Sequence, residues 1–265
     1  MSRNELKARW RDGETTYGMW SVTGSTFVAE LMALEGPDYV CLDIQHGLIG
    51  YDAFLACLFG LARTGSTPVV RVPANDSGWI GKVLDAGAEA VIVPMVETAE
   101  QAEQAVRSCR YFPLGNRSVG PIRAAQTLGG DTDVANREVA CLLMIETALG
   151  VANAAEICSV PGVDGIYVGP GDLALTYGLP PTLTPQPGLH ADGIWAVRDE
   201  CVRNGIVAGV QCRNAEGARR MADEGFRMLT VATDAHLIRT AVRSELAEAG
   251  AKPRLATESA ASPYS

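Results

Sequence analysis

The sequence predicts a closed (β/α)8 barrel of the TIM type, on three observations. Eight short apolar runs recur along the 265 residues, alternating with helical stretches. The runs are apolar at successive positions, the mark of strands buried on both faces in a parallel sheet. The length suits one α/β barrel with a sizeable core, here taken as residues 1–251 followed by a disordered tail, 252–265. An open doubly wound sheet is the alternative, but no GxGxxG follows the first run and no Walker motif occurs.

The elements follow in order. After a polar leader, Tyr17 to Val22 reads as the first strand, and Ser25 caps a helix ending near Leu34 before Gly36-Pro37. Tyr39 to Asp43 is the second strand, with Ile44-Gln45-His46-Gly47 as the loop above it and a helix from Asp52 to Arg63. Pro68 to Val72 is the third strand, followed by a helix from Ser77 that carries Asp85. Ala90 to Pro94 is the fourth, with a helix from Thr98 to Cys109. Tyr111 to Asn136, rich in Gly, Pro and Asn, reads as a long loop covering a site or a contact surface. Cys141 to Ile145 and Gly165 to Val168 are strands five and six. A proline-stiffened connection, Leu179 to Leu189, leads to a helix over Asp192 to Asn204. Val207 to Val210 and Met228 to Val231 complete the barrel.

Composition narrows the function. A net charge of −9 argues against nucleic-acid or anionic-membrane partners, which call for a basic face. Seven cysteines, an odd number without a CxxC pair, several of them inside apolar runs, read as reduced core residues of a cytoplasmic protein. The first fourteen residues are charged and lack the apolar core of a signal peptide, and no run is suited to span a bilayer.

Function in a barrel gathers at the C-terminal ends of the strands. Those ends carry Asp43 and His46, Arg71, Glu146 and, after strand six, Asp172. Each has a structural reading as well: Asp172 before Leu173 has the pattern of a helix cap, and Arg71 could simply pair with a carboxylate. Their convergence on one face favours function. Two carboxylates side by side at the mouth of a sheet call for a cation between them. Lys7, Lys82 and Lys252 are the only lysines and none ends a strand, which removes Schiff-base chemistry. Carboxylate ligands favour a hard ion, Mg²⁺ or Mn²⁺, polarising the oxygens of an α-keto acid.

Several blocks together resemble the metal-dependent (class II) pyruvate aldolases, the family of 4-hydroxy-2-oxoheptanedioate and 2-dehydro-3-deoxyglucarate aldolases. They are Leu42-Asp43-Ile44-Gln45-His46-Gly47, Val70 to Pro73, Leu84-Asp85-Ala86-Gly87-Ala88, Val93 to Val96, Tyr111 to Ser118, Ile145-Glu146-Thr147, and Gly162 to Gly165 through Gly169-Pro170-Gly171-Asp172-Leu173. The resemblance covers nearly the whole chain. It implies a barrel of the phosphoenolpyruvate/pyruvate-binding type, with Glu146 and Asp172 as ligands of a divalent metal, Mg²⁺, Mn²⁺ or Co²⁺. Pyruvate or its enolate would chelate that ion, held also by the Gly171 N–H. Arg71 would stabilise the enolate oxygen, and His46 would be the base at the aldol hydroxyl. Asp85 would raise the basicity of His46, and Gln45 would contact a metal-bound water, with Asp43 also near the site. Met144 stands where some members carry a glutamine that touches the keto acid, and Gly171 where alanine is usual. The resemblance further implies a homohexamer, a dimer of trimers, with a helix over Ile238 to Ala249 packing on a neighbour. The residue pattern places Asp85 near the end of a helix, on the face opposite the site.

The expected activity is therefore reversible cleavage of a 4-hydroxy-2-oxo acid to pyruvate and an aldehyde. Two other readings stand beside it: oxaloacetate decarboxylation at the same site, and a catalytically silent barrel. In the family resembled, the aldehyde is selected by loops around the mouth, here Gly47 to Tyr51, Arg117 to Arg123 and the proline-rich Leu179 to Leu189. Arg117 and Arg123 could meet a distal carboxylate, and could equally face solvent or make subunit contacts.

Overall fold

All eight expected strands form and run parallel in a computed structural model that describes residues 4–126, 128 and 130–251. They are β1 (Thr16–Ser21), β2 (Tyr39–Asp43), β3 (Thr67–Arg71), β4 (Ala90–Val93), β5 (Ala140–Ile145), β6 (Gly165–Val168), β7 (Val207–Gln211) and β8 (Met228–Thr233). Each pairs with the next, and β8 closes the barrel on β1 with a register irregularity between Gly18 and Met19. The helices are α1 (Glu5–Arg11), α2 (Thr26–Leu34), α3 (Tyr51–Leu61), α4 (Ser77–Asp85), α5 (Ala99–Cys109) and α6 (Thr132–Glu138). Further along come α7 (Ala148–Ala152), α8 (Ala154–Cys158), α9 (Pro170–Thr176), α10 (Leu189–Asn204), α11 (Ala215–Asp223) and α12 (Asp234–Glu248).

Strand parity divides the core in two. Val40, Leu42, Val70, Val91, Leu143, Ile145, Ile166 and Val168 point outwards and meet the helices. Tyr39, Cys41, Val69, Ile92, Leu142, Met144, Tyr167 and Met228 point inwards and fill the barrel. Because side chains alternate along a strand, the inner columns end at Asp43 above Cys41, Arg71 above Val69 and Glu146 above Met144. The interior is occupied by aromatic rings, and glycine makes the room. A Cβ on Gly18 would lie 2.3 Å from the Tyr39 ring. Tyr39 and Tyr167 both reach the Thr230 hydroxyl, at 2.9 and 2.6 Å.

Three expectations need correction. The leader is not simply polar: Asn4 caps α1 by accepting from the Lys7 N–H, and Leu6 enters the inner core at 1% exposure. Lys7 binds Asp164 at 2.7 Å, so that lysine fastens α1 to the barrel rather than serving chemistry. The segment from Tyr111 to Asn136 is not all loop. It contains a 3₁₀ turn over Ala124–Gln126, and α6 begins inside it, capped by Asp131. The helix expected from Asp192 starts a turn earlier, at Leu189. Residues 252–265, taken as a disordered tail, lie outside the described residues. Among the described residues no helix is long and apolar enough to cross a membrane.

Since Leu6 closes the bottom of the barrel interior, Leu6→Ala leaves a cavity there. Urea denaturation of this variant is expected to show a loss of about 2–4 kcal/mol.

Candidate active site

The mouth of the barrel is organised around Asp43, buried at the end of β2. Its carboxylate accepts from Arg71 Nε at 3.0 Å and Arg71 Nη2 at 2.5 Å, a two-point pair between neighbouring strands. The Trp20 indole N–H donates to it at 3.1 Å, and the backbone N–H groups of Gln45 and His46 at 3.0 and 3.3 Å. Burial alone would raise the Asp43 pKa, but the hydrogen bonds and charge of Arg71 hold it below the usual range. Arg71 also stacks over the Trp20 ring, 5.1 Å from its centroid. Its remaining amine, Nη1, faces the Met144 sulfur at 3.9 Å and the pocket.

Glu146, one residue beyond β5, is 2% exposed. Its Oε1 accepts from the Met95 N–H at 2.8 Å. Met95 is the sole non-glycine among the described residues with a positive φ, 56°, so a strained backbone aims that N–H at the carboxylate. On the other side lies Gly169, where a Cβ would stand 2.8 Å from Oε2. Burial, with the nearby Asp172 adding to it, pushes the Glu146 pKa up to about 7. Asp172 sits in the first turn of α9, whose first residues are Pro170 and Gly171. That turn is braced from behind by His190. Its Nδ1 accepts from the Gln186 N–H at 3.0 Å, so its Nε2–H donates to the Pro170 carbonyl at 3.0 Å.

These groups line a cavity of about 330 Å³ at the C-terminal mouth, with Asp43, His46, Arg71, Glu146, Gly171 and Asp172 all in its wall. The cation nearest the carboxylates, Arg71, is already committed to Asp43, which leaves Glu146 and Asp172 without a neutralising side chain. An all-oxygen pair in that state fits a hard divalent cation. No cluster of three His, Cys, Asp or Glu is found among the described residues, so substrate and water would supply the remaining ligands. Gln45 is outside the lining, and its Oε1 is buried without a partner. Sequence reading missed Trp20, Tyr167, Gln211, Arg213 and His236 in the wall, and His190 behind it. Inward parity at the strand ends was an available signal for Trp20 and Gln211. None existed for His190.

Asp85 does not join this site within the chain. It ends α4 and pairs with Arg117 Nη2 at 2.7 Å in the wall of a separate cavity of about 650 Å³, which shares no lining residue with the first. Helices run back against the strand direction, so the end of α4 is turned away from the mouth. Arg117 and Arg123 are also there, rather than at the mouth. Arg117 stacks over Tyr111 at 4.6 Å, and Arg123 donates to the Ala86 and Leu58 carbonyls at 2.7 and 3.0 Å. Lys82 lies 4.1 Å over the Tyr51 ring in that same cavity. Among the described residues, no lysine reaches the mouth.

Fold and site together describe a barrel with paired carboxylates and an arginine at its C-terminal mouth, the arrangement of an enzyme. Residues 16–241 match the HpcH/HpaI aldolase/citrate lyase family, and the chain belongs to it. It is 36% identical over 254 residues to a hydroxypyruvate/pyruvate aldolase of Sagittula stellata, covering 94% of this chain and 98% of that one. It is 34% identical to a 2-dehydro-3,6-dideoxy-6-sulfogluconate aldolase of Pseudomonas putida, over 93% and 96% of the two chains. A solved HpcH/HpaI family structure from Burkholderia cenocepacia superimposes with a TM-score of 0.87 at 33% identity, over 94% of this chain and 100% of that one. The protein is accordingly an aldolase-family enzyme, a carbon–carbon lyase.

Two outcomes follow from the Glu146 environment. In the metal-free protein the folded carboxyl keeps its proton to about pH 7, whereas the unfolded chain loses it near 4.5. Stability therefore falls as pH rises between those values and stays low above them, a cost on the order of 3 kcal/mol. Glu146→Gln removes that cost, so metal-free melting temperatures are expected to be similar at pH 5 and higher for the variant at pH 8. Gly169→Ala drives a methyl group into Glu146. Calorimetry is expected to show divalent-cation affinity falling at least tenfold in a protein whose circular dichroism is unchanged.

Proposed function

We propose that this enzyme reversibly cleaves a 4-hydroxy-2-oxo acid to pyruvate and an aldehyde, with a divalent cation held by Glu146 and Asp172. The observation that carries this reading is the carboxylate pair, buried Glu146 and half-buried Asp172, facing the Arg71 nitrogen that Asp43 leaves free across one cavity. The relatives' names, a hydroxypyruvate/pyruvate aldolase and a sulfogluconate-derived keto-acid aldolase, support the substrate class. Mg²⁺ and Mn²⁺ fit the oxygen donors best, with Co²⁺ also acceptable. When bound, the cation withdraws electron density from the keto acid and stabilises negative charge on its oxygen.

The chain's own groups do the rest. The Gly171 N–H, in the first turn of α9, meets the keto-acid carboxylate. Arg71 Nη1, the amine that Asp43 leaves free, donates to the oxygen that gains charge as the carbon–carbon bond breaks. His46, exposed on the loop whose backbone is held by Asp43, takes the proton from the aldol hydroxyl. Met144 keeps an apolar wall and a weak sulfur contact with Arg71 where a polar group would touch the keto acid. Asp85 lies in the other cavity, paired with Arg117, so within one chain it does not act on His46; the family resemblance further implies a homohexamer. Exposed Ile238, Val242 and Leu246 recur at four-residue spacing along α12, an apolar stripe suited to such packing. Seven free, buried cysteines suit a reducing cytoplasm.

Pyruvate release from a 4-hydroxy-2-oxo acid is expected to stop on exhaustive chelation and return with Mg²⁺ or Mn²⁺; activity that survives chelation overturns the reading. Arg71→Lys is expected to lower kcat at least a hundredfold with a much smaller change in KM, because a lysine cannot bind Asp43 at two points and still face the substrate. His46→Ala that keeps full activity on the true substrate favours oxaloacetate decarboxylation instead, since that reaction needs no base at an aldol hydroxyl.

A further inference from the structure

A second cavity, of about 350 Å³, opens beside the mouth of the barrel where β7 passes into α11. It shares Leu183, Cys212 and Arg213 with the active-site cavity, so the two are joined along one wall. Arg213 and Arg220 both line it, and neither side chain has an ion pair, hydrogen bond or ring contact among the described residues. Glu216 is the single carboxylate in the lining, which leaves the cavity with net positive charge in a protein of net charge −9. Elsewhere the chain's arginines near cavities are engaged: Arg71 with Asp43, Arg117 with Asp85, Arg123 with two carbonyls. Two unengaged guanidiniums beside a reaction centre suit an anion carried by the substrate itself. Beside Arg213, the shared wall is made of Leu183 and the buried Cys212.

We propose that Arg213 and Arg220 form an anion subsite for the far end of the aldehyde, so that the enzyme prefers acceptors carrying a terminal carboxylate, phosphate or sulfonate. This rests on the aldolase reading. The Leu183-Thr184-Pro185 segment lines the subsite, giving the proline-rich connection a part in acceptor choice. Arg213, common to both cavities, meets the anion first; Arg220, which lines the second cavity alone, favours longer acceptors.

Condensation of pyruvate with succinic semialdehyde and with butanal, which lacks only the terminal carboxylate, tests this in the wild type, Arg213→Gln, Arg220→Gln and the double variant. The ratio of kcat/KM for the charged to the neutral acceptor is expected to fall at least tenfold in Arg213→Gln and further in the double variant, through KM. Glyceraldehyde 3-phosphate against glyceraldehyde reports whether phosphate is taken, and loss of preference in the variants with either pair supports the subsite. An unchanged ratio with both pairs in the double variant overturns it. Both arginines are exposed and have no side-chain partner among the described residues, so folding is expected to survive, as melting curves check. Calorimetric titration of succinic semialdehyde into protein saturated with oxalate reads the subsite apart from turnover, with affinity expected to fall at least tenfold in the double variant. Normal binding without condensation would sink the aldolase reading alone; condensation with unchanged preference would sink the subsite alone.

Discussion

The pairing of Asp43 with Arg71 is the contact on which the rest of the mouth depends. A buried carboxylate survives only if its lone pairs are met, and this one accepts from Arg71 twice, from Trp20 and from two backbone N–H groups. Each bond also positions something else. The two from Arg71 orient its planar group and leave Nη1 towards the pocket. The two from the loop hold the turn that presents His46. The Trp20 bond sets the indole under the guanidinium and beside Tyr167, whose ring centroid is 5.5 Å away.

Opposite this neutralised pair stands one with no neutralising side chain of its own among the described residues. Glu146 is desolvated and lies near Asp172, an arrangement that disfavours its ionised form. The fold nevertheless enforces it, through the strained Met95 backbone on one side and the missing Cβ of Gly169 on the other. Strain kept at a site while the surrounding barrel is well packed belongs to function rather than to stability. The mouth thus joins one preorganised cation to one pair of carboxylates suited to an added cation.

Legibility varied with the range of the interaction. The strands and their catalytic ends could be read because burial on both faces leaves apolar runs, and parity along each run then says which way its last residue points. Leu6 could not be recognised as a barrel plug, because a single leucine in a charged leader carries no period. Asp131 before α6 was a readable cap, obscured by the glycines and asparagines around it. Asp85, Arg117 and Arg123 carried the right chemical groups at plausible positions. Their partners lie up to 65 residues away, and only packing brings them together.

Residue order was enough for the barrel, the family and the five side chains at the mouth, because periodicity and local motifs are properties of neighbours in the chain. Which arginines remain uncommitted beside the mouth was decided by the folded molecule. Arg117 and Arg123 are drawn into ion pairs and carbonyl contacts, while Arg213 and Arg220 are left without a side-chain partner among the described residues, beside the active site. Whether a charge is spent within the protein or kept for a ligand depends on contacts between distant segments. No local pattern encodes those contacts.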